Sequence, residues 1–139
     1  PCKQCPVGRA QNAKDTAHCD VCVAGRYQNH LGATSCIACG AGRYLDSTGG
    51  NASSDCKACI AGTYADTTAN DDASDCKDCA AGRFSPQTAR TSAKDCHHCP
   101  YGQYQSKPGA VECTNCTQGR FTSSASANLT VCEDCAAGL

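Results

Sequence analysis

The chain has 139 residues, of which 16 are Cys and 13 are Gly, with no Met, no Trp and only seven aromatics. Val, Ile, Leu and Phe make up roughly 9% of it, against the roughly 20% below which a chain normally lacks enough apolar surface to fold. With 12 Lys+Arg spread evenly against 13 Asp+Glu, the composition excludes an ordinary enzyme core, a basic stripe for nucleic acid and a polybasic membrane patch.

The first residues, Pro1-Cys2-Lys3-Gln4-Cys5, hold neither an initiator Met nor a charged-then-apolar leader, and read as a mature or excised segment. No apolar stretch reaches the roughly 18 residues of a membrane span. From there the cysteines set the organisation. All sixteen fall into C-x-x-C pairs: Cys2/Cys5, Cys19/Cys22, Cys36/Cys39, Cys56/Cys59, Cys76/Cys79, Cys96/Cys99, Cys113/Cys116 and Cys132/Cys135. Successive pairs are 17, 17, 20, 20, 20, 17 and 19 residues apart. Three positions after each second Cys stands a Gly (Gly8, Gly25, Gly42, Gly62, Gly82, Gly102, Gly119, Gly138), and two residues later comes an aromatic: Tyr27, Tyr44, Tyr64, Phe84, Tyr104 and Phe121, with Ala10 the exception. The units are 1–18, 19–35, 36–55, 56–75, 76–95, 96–112, 113–131 and a partial 132–139.

Each unit reads as a short β-hairpin. Gly permits a positive φ or a close backbone approach, the Gly-Arg-Tyr type segment starts a strand, and the turns fall at Leu31-Gly32-Ala33, Thr48-Gly49-Gly50, Asn70-Asp71-Asp72 and Lys107-Pro108-Gly109. On this reading the three-residue length differences sit at hairpin tips. The expected fold is an elongated array of small, disulfide-rich, all-β or irregular repeats, with little or no helix.

The unit C-x-x-C-x-x-G-[R/T/Q]-[Y/F] resembles the ephrin-receptor-like cysteine-rich repeat. In appearance it is related to the first half-module of tumour-necrosis-factor-receptor repeats, and loosely to EGF-like modules. Cys22, Gly25, Tyr27 and Cys36 stand at the family's Cys, Gly, aromatic and closing-Cys positions, and the pattern runs from residue 2 to 138. The second, different Cys pattern of the tumour-necrosis-factor-receptor modules is missing. The resemblance implies an extracellular, non-enzymatic module.

Four Cys₄ zinc sites would also use all sixteen thiolates. Three N-x-[S/T] sequons, at Asn51, Asn115 and Asn128, and the Gly-x-aromatic that follows six of the pairs favour disulfides instead. Covalent haem requires His after the pair, and none stands there. Eight copies of C-x-x-C on a helix-free chain do not make a thioredoxin-type site. If each hairpin runs from the second Cys of one pair to the first of the next, the bonds are Cys5–Cys19, Cys22–Cys36, Cys39–Cys56, Cys59–Cys76, Cys79–Cys96, Cys99–Cys113 and Cys116–Cys132. Each closes a loop of about 15 residues, worth on the order of 3 kcal/mol in the chain-entropy model. A crossed scheme in two-repeat blocks predicts a two-repeat alternation in spacing, which is absent. The single-repeat scheme leaves Cys2 and Cys135 for an inter-repeat or external partner, as in a window on a longer array.

The repeating aromatics are expected to pack each repeat against its neighbours only. Arg9, Arg26, Arg43, Arg83 and Arg120 precede that position, while Asp55, Asp75, Asp95 and Glu112 precede a closing Cys. They either pair with one another or stay solvated. Asp66, Asp71, Asp72, Asp75 and Asp78 form an acidic stretch without EF-hand spacing. His18, His30, His97 and His98 are scattered, so neither a catalytic set nor a metal or other cofactor is expected. Tyr101, with His97 and His98, is the one irregularity in the pattern. The expected role is a rod-like extracellular structural protein, part of a cell-surface fibre or filament, with identical chains or neighbouring repeats as partners and covalent glycans at the three sequons. The alternative is a receptor or adhesion ectodomain that binds an extracellular protein ligand.

Overall fold

Each C-x-x-C pair from Cys19/Cys22 to Cys113/Cys116 ends one hairpin and starts the next. The computed structural model describes residues 3–12, 18–123 and 129–136; Cys2, Gly138 and the sequon residue Asn128 lie outside them. The chain divides into two compact units, one of Pro1–Cys59 with Ala65–Cys76 and the other of Ile60–Tyr64 with Lys77–Leu139.

In the first unit Arg9–Ala10 pairs with Asp20–Val21, Arg26–Tyr27 with Ile37–Ala38, and Arg43–Tyr44 with Lys57–Ala58, all antiparallel. In the second, Thr63–Tyr64 pairs with Lys77–Asp78, Arg83–Phe84 with His97–His98, Gln103–Tyr104 with Thr114–Asn115, and Arg120–Phe121 with Glu133–Asp134. The outgoing strand is the dipeptide immediately after the repeated Gly, Arg-aromatic in four of the seven hairpins. The returning strand is the x-x of the next C-x-x-C. Strands of two residues are too short to stand alone, and a disulfide holds each hairpin closed.

Seven such bonds are present among the described residues: Cys5–Cys19, Cys22–Cys36, Cys39–Cys56, Cys59–Cys76, Cys79–Cys96, Cys99–Cys113 and Cys116–Cys132. The fold is thus a tandem array of short antiparallel hairpins stapled by disulfides, with no α-helix among the described residues. Sulfur replaces hydrocarbon in the interior: Cys22, Cys39, Cys59 and Cys79 are at most 1% exposed.

The extra three residues of the longer repeats are not at the hairpin tips. The tenth residue after the second Cys turns the chain in both lengths, with φ of +68° at Gly32 and +74° at Gly49. The additional residues follow it and form a 3₁₀ turn ahead of the closing Cys, at Ser53–Asp55, Ala73–Asp75 and Ala93–Asp95. The aspartate ending each turn reaches back to two backbone N–H groups. Asp75 accepts from Asp71 and Asp72 at 3.0 and 3.2 Å, Asp55 from Asn51 and Ala52 at 2.8 and 3.0 Å, and Asp95 from Thr91 and Ser92 at 3.1 Å each. These otherwise unpaired donors need a side-chain acceptor because the turn is too short to satisfy them internally.

Candidate functional site

The recurrent chemistry of this chain lies where one repeat meets the next, and the backbone supplies most of it. The N–H of the conserved Gly donates forward into the following repeat: Gly8 to Gln28 at 2.7 Å, Gly25 to Leu45 at 2.7 Å and Gly42 to Ala65 at 2.8 Å. The carbonyl of the same Gly accepts from the second Cys of the next pair, as in Cys39 to Gly25 at 2.8 Å. The sixth residue after the second Cys then donates to the eleventh residue after the second Cys of the following repeat, Gln28 to Gly50 at 2.9 Å and Leu45 to Asn70 at 3.0 Å. Finally the turn residue donates back, Gly49 to Cys22 at 2.7 Å and Ala69 to Cys39 at 2.9 Å. The second unit repeats these bonds, with Gly62 to Ser85 at 2.8 Å, Ser85 to Ala110 at 3.0 Å and Gly109 to Cys79 at 2.8 Å. Because the groups are main-chain, the bonds themselves call for no particular side-chain chemistry.

Coupling also reaches past the adjacent repeat, which corrects the expectation of contact between immediate neighbours alone. A Cβ added to Gly8 would lie 2.5 Å from the carbonyl oxygen of Gly49, two repeats further on. This close approach is why a residue without a side chain is needed at that position, where φ is +75°.

The joint has a buried position that the sequence pattern did not single out. The sixth residue after the second Cys is Gln28, Leu45, Ala65 or Ser85 in successive repeats, and each is 5% exposed or less. Its chemistry varies, so no apolar signal marks it; only the repeat register could have found it. The repeating aromatics are less enclosed. Tyr27, Tyr44, Tyr64, Phe84 and Tyr104 are half-buried and Phe121 is exposed. Tyr27 packs on Cys39, Leu45 and Cys56, while Phe84 meets His97 with ring centroids 5.9 Å apart.

The arginines and aspartates of the motif do not pair with each other as a rule. Arg9, Arg43 and Arg83 donate through Nη1 to the carbonyls of Cys19, Cys56 and Cys96 at 2.9, 3.0 and 3.0 Å, tying each outgoing strand to its closing Cys. Their partner is the backbone, as it is for Asp55, Asp75 and Asp95. Exposed ion pairs join Lys57 to Asp46 at 2.7 Å and Arg120 to Asp134 at 2.6 Å. The Lys57 ammonium holds the Asp46 carboxyl below its ordinary value, and the Arg120 guanidinium does the same for Asp134. The N–H and hydroxyl of Ser74 lower the Asp72 carboxyl.

Among the described residues no group of three or more His, Cys, Asp or Glu is placed to hold a metal ion. Two depressions of about 260 and 300 Å³ lie in the second unit, the first beside Tyr64, Asp78 and Arg83, the second beside Tyr104, Thr117 and Arg120. They stand at or below the small end of ligand clefts, and neither joins a nucleophile to a base. Tyr101 is 70% exposed, and His97 and His98 are exposed on one strand. Cys135 is an exposed, unbonded thiol. Asn51 is exposed beside the first 3₁₀ turn, and Asn115 is exposed on a strand where its Oδ1 accepts from Gln103 Nε2 at 2.8 Å.

Residues 8–56 match the family model described as tyrosine-protein kinase ephrin type A/B receptor-like. This stretch is ephrin-receptor-like cysteine-rich repeat. It spans the conserved Gly of the first repeat to the closing Cys56 of the third, and so contains the whole joint between Gly25 and Leu45. No curated protein matches the chain. Ephrin-receptor-like repeats and a cystine-based interior together mark an extracellular segment, and no helix among the described residues is long and apolar enough to cross a membrane.

Proposed function

We propose that this chain is a structural segment of an extracellular, cell-surface protein, a non-catalytic array that serves a surface fibre or filament. The carrying observation is the main-chain ladder from repeat to repeat, with Gly25 to Leu45 and Cys39 to Gly25 as its type pair. Each repeat offers the next the same donors and acceptors, so an array of this kind lengthens by adding units without redesigning a contact. Electron microscopy of the native cell-surface material tests the reading. Regular fibres labelled along their length by an antibody to this chain support it; label confined to dispersed single molecules overturns it.

A second reading, a receptor ectodomain that binds a protein ligand, is favoured by the match of residues 8–56 to a model named for a receptor and by the exposed Tyr101. A membrane span and cytoplasmic domain in the same full-length polypeptide would support that reading instead.

A further inference from the structure

We infer that Asn51, in preference to Asn115, is an acceptor for N-linked glycan. Both belong to sequons, Asn51-Ala52-Ser53 and Asn115-Cys116-Thr117, but the repeat treats them differently. Asn51 is the twelfth residue after the second Cys of its repeat, and the equivalent residues in the next two repeats are Asp71 and Thr91. All three are exposed, and in all three the backbone N–H donates to the aspartate that ends the 3₁₀ turn, at 2.8, 3.0 and 3.1 Å. The turn is therefore built by the main chain and that aspartate, whatever side chain stands at its mouth. Among the described residues neither the Asn51 carboxamide nor the Ser53 hydroxyl has a partner. A glycan there displaces nothing.

Asn115 is bound into the hairpin. It lies on a strand paired with Gln103, and its carboxamide oxygen accepts from the Gln103 side chain. The middle residue of its sequon, Cys116, is bonded to Cys132 and donates its N–H to Gly102 at 2.8 Å. Opening this sequon for a transferase requires the strand and a disulfide to yield; opening Asn51 requires neither.

The step is a transfer from a lipid-linked oligosaccharyl diphosphate. The Asn51 Nδ2 forms a bond to the anomeric carbon of the first sugar as the carbon–oxygen bond to the diphosphate breaks. The amide proton passes to a base of the transferase, and the lipid diphosphate leaves with the bonding electrons.

The test is the chain secreted from eukaryotic cells, mapped by mass spectrometry after glycosidase release in heavy-oxygen water. Asn51 is expected to be modified in most molecules and at least several-fold more often than Asn115. Ser53→Ala should abolish the Asn51 glycan and Ser53→Thr should retain it. Hydrogen exchange of the Ser53 variants, compared with that of the unsubstituted chain, shows that the first unit stays folded, and Asn51→Gln repeats the test if Ser53→Ala is not secreted. Unmodified Asn51 in folded secreted protein, or equal occupancy at Asn115, overturns the inference.

Discussion

Gly25 and Ala69 sit so close, two repeats apart, that a Cβ on Gly25 would overlap the carbonyl oxygen of Ala69. Gly25 has φ of +80°, so Gly25→Ala incurs backbone strain of about 1–2 kcal/mol in addition to the overlap. We expect a total loss of roughly 3 kcal/mol or more. At Gly102, with φ of +77°, an added Cβ meets nothing within 4 Å, and Gly102→Ala should cost only about 1–2 kcal/mol. Hydrogen exchange resolves the two because it reads each hairpin separately, where a single melting curve would not. Equal losses would mean that the second-neighbour approach contributes nothing.

Ala69 and Ala89 hold the turn at φ of +58°, a conformation that other repeats give to Gly49 or Gly109. Ala69→Gly relieves left-handed strain of about 1–2 kcal/mol and loses about 0.4–1 kcal/mol through greater freedom of the unfolded chain. The expected result is a net gain of up to about 1.6 kcal/mol, read as slower exchange of the amides of residue 69 and Leu45. A loss of protection would contradict it.

Leu45 is 2% exposed and packs with Cys39, Cys56 and Tyr27. Leu45→Ala removes three buried carbons from that cluster and should destabilise the first unit by about 2–3 kcal/mol. Ser85 occupies the equivalent position at 1% exposure, and Ser85→Ala should cost less than about 1 kcal/mol because its hydroxyl makes only a long bond to Gln87, 3.5 Å. Denaturant midpoints of the two oxidised variants check the contrast.

Lys57 places its ammonium 2.7 and 2.9 Å from the Asp46 carboxylate oxygens and 5.8 Å from the centre of the Tyr44 ring. Pairing holds the Asp46 carboxyl below 3.8, so its contribution is present above about pH 4 and is lost as the pH falls through the lower folded value. Lys57 is raised above 10.5 by the same bond, so its share is complete below that pH and is lost as the pH rises through the folded value. Carbon-detected NMR titration should find Asp46 protonating at lower pH than in Lys57→Met. The difference should shrink in high salt, since both groups face water. An unchanged titration in that variant would remove the pair.

The cysteine spacing and the Gly-x-aromatic pattern made the repeat, its family and its cystine-stapled hairpins legible, because covalent links of fixed reach leave few ways to fold a chain with so little hydrocarbon. Details that depend on meetings between distant residues were not legible. The Asp55 carboxylate reads as a surface charge until the extra three residues are seen as a 3₁₀ turn needing an acceptor. Arg43 reads as either an ion-pair member or a solvated charge until its Nη1 is found on the Cys56 carbonyl. Position six, occupied by Leu45 in one repeat and Ser85 in another, carries no compositional mark, since its burial follows from the backbone ladder around it.

The sequence by itself determined the periodicity, the near-absence of a hydrocarbon core and the family of residues 8–56. All three follow from which residues are present and how far apart they stand. Tertiary structure decided which groups join the repeats and how far coupling runs. The carbonyl that meets Gly8 belongs to Gly49 rather than to the adjacent repeat. The physical reason is that main-chain hydrogen bonds are available to every residue alike, so only the path of the folded chain selects which of them meet.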